Sequence, residues 1–261
     1  MANCNLLAHP FKLILTSIIF FLFISSSNGQ NEIECISPQK PISKFKLTIN
    51  NYGIGLGGLN KLNGLNLSLI DKTCKINGLS VSLSNNFESY KTINGIDITL
   101  LSYIEKCRGL GFALGGEINE LNGLATFLLF GTTWDFNGIN ISGLAQLNSN
   151  ISKGAVISGL YIVNSQFTGL AITPGFIVSD SIDSGVMIAG LYYNSEISNG
   201  LSISLINKSE KSKGLKIGLL NLSKNHKGVQ IGLLNINHSN RKLFKYLPFI
   251  SLNLRKDTKP D

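Results

Sequence analysis

Two glycine-rich stretches, "GIGLGG" from Gly53 to Gly58 and "GLGFALGG" from Gly109 to Gly116, have the composition of loops that cradle phosphates on backbone N–H groups. Neither is set to open a helix as a dinucleotide fingerprint does, and neither runs into the Lys-Ser/Thr of a P-loop. Histidine is scarce: beyond residue 29 only His226 and His238 occur, in polar connections with no cysteine or carboxylate at metal-ligand spacing. No nucleophile, base and orienter can be assembled around them. Glu117 with Glu120 and Asp180 with Asp183 are paired carboxylates, but at a spacing usual for solvated surface groups. Asn-x-Ser tripeptides begin at Asn66, Asn140, Asn150, Asn207, Asn221 and Asn237, as expected by chance in a chain so rich in Asn and Ser. These residues predict no catalytic, cofactor or metal site, and a protein that is not an enzyme.

What positions them is a repeat. Gly-apolar-x-apolar units begin at Gly64, Gly78, Gly95, Gly109, Gly123, Gly138, Gly154, Gly169, Gly185, Gly200, Gly214 and Gly228, 14 to 17 residues apart, with a degenerate unit at Gly53. Within "GLNLSL", "GLSVSL", "GLSISL" or "GVQIGL" every second residue is Leu, Ile or Val and the others are small or polar. That is the period of a strand with one face buried and the other wet or tightly packed. The connections carry an apolar residue two or three places before the glycine, at Ile76, Ile93, Leu121, Phe136, Ile151, Phe167, Ile182 and Ile197, which suits the second side of a coil.

The predicted fold class is therefore all-β, an array of about 12 to 13 repeats, with a parallel β-solenoid favoured and an antiparallel meander or barrel as the alternative. In a solenoid, equivalent positions stack at about 4.8 Å, so twelve coils make a rod roughly 60 Å long. Asn164, Asn194, Asn207, Asn221 and Asn235, which close their strands, would form a side-chain ladder. Cys74 and Cys107 lie two coils apart, about 9–10 Å, beyond the roughly 7 Å reach of a disulfide, and both are expected to be free and mostly buried. In a barrel, alternate turns would differ in length and the apolar band would be about 25 Å tall. The repeat steps show no such alternation, and three alternating apolar residues span only about 14 Å.

Lys12 followed by the apolar run Leu13–Ile24 and the small residues Ser27 and Gly29 has the form of an export signal cleaved near Gly29/Gln30. The domain plan is then a signal peptide over 1–29, a lead-in or cap over 30–52, the repeat array over 53–240 and a basic C-terminal strand and tail over 241–261. The segments "ISPQKPISKFKLTIN" and "KLFKYLPFISLNLRK" are expected to cap the two ends. Net charge is +8, unevenly spread: from Gly109 to Gly200 only Lys153 opposes six acids, whereas the stretch after Leu201 is strongly basic. Lys208, Lys211, Lys213, Lys216, Lys224, Lys227, Arg241, Lys242 and Lys245 there could meet an anionic surface such as lipid head groups or acidic glycan. No aromatic residues interleave with the lysines of the turns "NKSEKSKG" and "SKNHKG" as nucleic-acid binding would require.

The consecutive units "GLKIGLLN" and "GVQIGLLN", fourteen residues apart and followed by "NRKLFKYLPFISLNL", resemble the GLQIGLxN repeats of bacterial surface repeat-containing proteins. "GINISGL", "AVISGL" and "VMIAGLYYN" resemble the longer variant of that repeat. The resemblance covers roughly Gly64 to Leu254. It implies an exported protein of the cell surface, outer membrane or periplasm, with other envelope proteins as partners and no catalytic activity to carry over.

Overall fold

The computed structural model describes residues 47–85, 91–240 and 244–253, all within one compact unit formed by residues 35–261. The expected signal peptide, most of the lead-in, Arg241, Lys242 and the tail beyond Asn253 lie outside the described residues. The chain winds as a parallel β-solenoid. β2 (Tyr52–Gly55), β3 (Lys61–Asp71), β4 (Lys75–Asn85) and β5 (Thr92–Ser142) stack in parallel, glycine opposite glycine. β5 runs unbroken through three coils. The stack continues through β6 (Ala145–Ser158), β7 (Tyr161–Thr173), β8 (Phe176–Ser179), β9 (Ile182–Ala189), β10 (Tyr192–Ile203), β11 (Ile206–Ile217) and β12 (Leu220–Asn237). Parallel pairing excludes the antiparallel barrel. Two antiparallel strands close the stack, β1 (Leu47–Ile49) on β2 and β13 (Tyr246–Asn253) on β12, each drawn from a segment expected to cap an end.

The twelve repeat glycines and Gly53 form one column, each with φ between +121° and +145°. From Gly64 onward, a Cβ at each would run into the carbonyl oxygen of the glycine one coil earlier. The column is a corner where the backbone turns through a conformation closed to L side chains and neighbouring coils touch main chain to main chain. The coil from Gly200 shows the other corners. Ser202, Ser204, Asn207, Ser209 and Ser212 point inward, and the consecutive outward pairs Leu205–Ile206 and Glu210–Lys211 mark the two remaining turns of a three-walled section.

The period-two reading holds, but the buried set is the small and polar one. On the wall that follows each glycine, the inward position is polar at Asn66, Ser80, Asp97, Asn140, Ser202, Lys216 and Gln230 and small or apolar at Gly111, Ala125, Val156, Ala171 and Met187, all buried, while the first and third positions, mostly Leu and Ile, face out. A narrow coil forces this choice. Small side chains fit the interior of a three-walled turn, and stacked amides and hydroxyls can satisfy one another there. The larger aliphatic residues are left for the outside.

An apolar core does exist, confined to the middle coils and built on the inward position two residues before the glycine. Leu121, Phe136 and Phe167 fill it, with Phe127, Ile162, Ile177 and Tyr193 from other walls. The Phe136 and Phe167 rings stack 6.5 Å apart across the coil between them, where the equivalent residue is the small Ser152. The expected linker residues Ile76, Ile93, Leu121, Phe136 and Phe167 are buried. Ile151, Ile182 and Ile197 are not: they stand three places before the glycine, so parity turns them outward and gives the inward place to Ser152, Asp183 and Ser198.

The asparagine ladder is shorter than expected. Asn207 donates to Asn221 (2.9 Å), Asn221 donates to Asn235 (2.7 Å), and Asn235 reaches the Leu247 carbonyl on β13 (3.3 Å). Asn164 is bound instead by Asn148 (2.7 Å). Asn194 lies opposite Lys208 and Val178 on the outer side, because it follows its glycine by nine residues whereas the ladder members follow theirs by seven.

Candidate functional site

The features that invited chemistry in the sequence are structural. Gly53 and Gly55 lie in β2, Gly109 to Gly116 lie inside β5, and the Gly57 N–H is taken by the buried Asn66 side chain (3.1 Å), so neither glycine-rich stretch forms an open phosphate cradle. Glu117 accepts from the Trp134 indole (2.7 Å) and Glu120 pairs with Lys106 (2.9 Å) on the exposed surface. Asp180 is exposed, whereas Asp183 points inward and accepts from the Tyr193 hydroxyl (3.0 Å), so that pair is split between outside and inside. Five of the six Asn-x-Ser asparagines, all but Asn150, are buried. Among the described residues no three His, Cys, Asp or Glu converge to hold a metal.

Cys107 is free and buried, as expected, but Cys74 is not free: it is disulfide-bonded. The spacing along the array separates Cys74 from Cys107 only. Burial pushes the Cys107 thiol up to about 12, so it is protonated at neutral pH. Peptide mapping after treatment with a disulfide thiol reagent is expected to find Cys107 unmodified in the native protein and modified after unfolding in denaturant.

The interior carries ionisable clusters that the sequence did not disclose. Near the N-terminal end Lys91, fully buried, lies 2.5 Å from Asp71 and 3.6 Å from Asp97, and donates to Asn85 (2.5 Å). Burial pushes Asp97 up although Lys91 opposes the shift. At the other end Lys216, only 2% exposed, donates to Ser209 and to Ser223 (3.0 Å), with no carboxylate among its hydrogen-bond or ion-pair partners within the described residues. Desolvation lowers it to about 7. Lys216 is thus not available to an outside surface. It occupies the inward position two residues after Gly214, where Ser202 and Gln230 stand in the neighbouring coils.

Ser212 meets the His226 Nδ1 (2.8 Å), which gives two members of a hydrolytic triad. Among the described residues no carboxylate hydrogen-bonds His226 as the third member, and both residues are buried inside the wall. Burial and the nearby Lys216 hold His226 down to about 4, neutral at physiological pH. The pair works as a packed hydrogen bond.

Lys216 gives stability a defined pH slope. Between about 7 and 10.5 the unfolded chain holds a proton that the native chain has shed, so raising the pH favours the native state. Urea midpoints are expected to rise from pH 7 to pH 10 in the parent protein. A Lys216→Met variant, isosteric enough to fill the same space, should lose most of that slope.

Of the remaining basic residues, Lys211, Lys213 and Lys224 are exposed, with Lys224 paired to Glu210, and Lys208, Lys227 and Lys245 are half-buried. They do not form one patch. Lys208 sits on the second wall, Lys211 and Lys224 at the next corner, and Lys213 and Lys227 beside the glycine column.

The extensive surface feature is the outer face of the first wall. Its first column runs Leu65, Leu79, Ile96, Leu110, Leu124 and Ile139 and continues to Val229. A second column, two residues on, includes Ile157, Ile172, Ile188, Ile203, Ile217 and Ile231 in register. A third, at the corner, includes Leu69, Leu128 and Leu233, which are 72%, 66% and 61% exposed. Ile54 on β2 and Ile250 and Leu252 on β13 extend the face to both ends. At the C-terminal end the columns and Phe249 enclose a shallow apolar groove of about 720 Å³. Compared with known proteins, the chain matches no family model, no curated protein and no solved structure.

Proposed function

We propose that this chain is a non-catalytic repeat scaffold, exported to the cell surface, outer membrane or periplasm, whose working part is the aliphatic outer face of the first wall. The continuity of that face carries the reading. Fourteen strand rows at about 4.8 Å and a width of about 14 Å give a patch on the order of 900 Å². The largest apolar patch on an ordinary monomer is about 300–600 Å². A solenoid builds such a face at little cost to its own stability, because the stacked backbone and the inward polar ladders hold the coils together. Export is supported by the form of the first 29 residues and by the resemblance of the last units to surface repeats.

Two measurements test the reading. N-terminal sequencing of the natural product is expected to begin at Gln30, and an intact Met1 on a cytoplasmic protein would overturn export. An apolar fluorescent dye is expected to bind the native protein and to bind several-fold less to a Leu205→Ser/Leu219→Ser/Leu233→Ser variant. Equal dye binding by the two would overturn the exposed wall.

A further inference from the structure

We infer that the first wall docks flat on an anionic lipid surface. The inference rests on the proposed role of that wall and adds its partner. Three observations point to lipid. The wall is predominantly aliphatic: its first two columns hold Leu, Ile and Val except for Ala155, Thr126 and one aromatic, Phe112. Protein-binding hot spots favour Trp, Tyr and Arg over Leu and Val, whereas acyl chains ask only for apolar area.

The row of residues just before the glycines borders the wall along its whole length, and it contains Arg108, Lys153, Lys213 and Lys227. Arg108, Lys153 and Lys213 are exposed. Among the described residues no acid stands in that row or points outward on the wall. Asp97, the one acid in the wall's strands, points inward. The exposed acids Glu120, Asp135, Asp180, Glu196 and Glu210 lie on the other walls and corners.

An aliphatic stripe with a one-sided basic margin is the arrangement that sits at the boundary of head groups and acyl chains. Leucine side chains enter the upper acyl layer while ammonium groups stay level with phosphates. The backbone of the wall from β10 to β12 is already paired in the parallel ladder, so lipid contact there does not strip water from unpaired main-chain groups.

Flotation of the protein with vesicles separates the outcomes. Vesicles of phosphatidylglycerol and phosphatidylethanolamine are expected to carry the protein, and purely phosphatidylcholine vesicles to carry at least tenfold less. The Lys153→Gln/Lys213→Gln variant is expected to bind anionic vesicles roughly 30-fold more weakly, as for the loss of two positive charges near a charged membrane. The Leu205→Ser/Leu219→Ser/Leu233→Ser variant should lose on the order of 100-fold. A Lys211→Glu variant, on another corner, should change binding little, and matching circular dichroism spectra confirm that each variant is folded. Failure of the parent to float, with a dimeric mass that the leucine variant reduces to a monomer, would overturn the lipid partner and leave the wall as a binding face for a second copy. Failure to float with a monomeric mass would overturn both.

Discussion

A Gly169→Ala variant is expected to lose roughly 3–5 kcal/mol of stability and to populate a chain unfolded around the central coils. Gly169 has φ of +142°, and a Cβ there would overlap the carbonyl oxygen of Gly154. The cost therefore has two parts: a backbone conformation closed to alanine, and a main-chain contact that cannot yield without separating two coils. Gly111→Ala is the matched control. Gly111 also lies within a strand and is buried, but without a positive φ, and its added Cβ would meet the Ile118 and Cys107 side chains at 3.7 and 3.9 Å, ordinary contacts. That variant is expected to be neutral or slightly stabilising, within about 1 kcal/mol. Urea denaturation followed by circular dichroism reads both. A Gly169→Ala midpoint equal to that of the parent would mean that the column is not the closed corner described above.

Lys91→Met is expected to cost about 3–5 kcal/mol, because it leaves Asp71 and Asp97 in the interior without their cation. Asp71 would keep the Thr73 N–H (2.9 Å) and the Ser80 hydroxyl (3.4 Å), while Asp97 would keep little. Burial already raises Asp97, so the lesion should ease as the pH falls and the Asp97 carboxyl takes up a proton. Neutralising all three, in Lys91→Met/Asp71→Asn/Asp97→Asn, should recover most of the loss. A single variant as stable as its parent at pH 7 would show that the lysine does not balance the carboxylates.

The period of the strands and the column of glycines were legible in the sequence, because a corner that only glycine can turn must carry glycine in every coil. The polarity of the walls was not. In a globular domain the aliphatic half of an alternating strand goes inside, and nothing in "GLSISL" alone says that Ser202 and Ser204 are the buried pair. That depends on how narrow the coil is, which is a property of all three walls together. For the same reason the sequence alone does not distinguish Lys216 from a surface lysine, although its place two residues after Gly214 matches that of Ser202 and Gln230. The ladder of Asn207, Asn221 and Asn235 could be seen because all three keep one offset from their glycines. Asn194 and Asn164 keep others. The Lys91 cluster left no trace in the sequence, since Asp71, Lys91 and Asp97 meet only through the winding of two coils.

β11 and β12 align Gly214 with Gly228 and Ile217 with Ile231 without a register shift, over a repeat of fourteen residues. A unit that contacts only the unit before and the unit after can be copied in frame without disturbing the rest. Gene duplication or loss of one such segment would therefore lengthen or shorten the molecule by a single strand spacing of about 4.8 Å. Reach along a surface becomes a heritable quantity that changes in equal steps, as the marks on a ruler do, and the near-identical last two units are where such a step would leave the least trace.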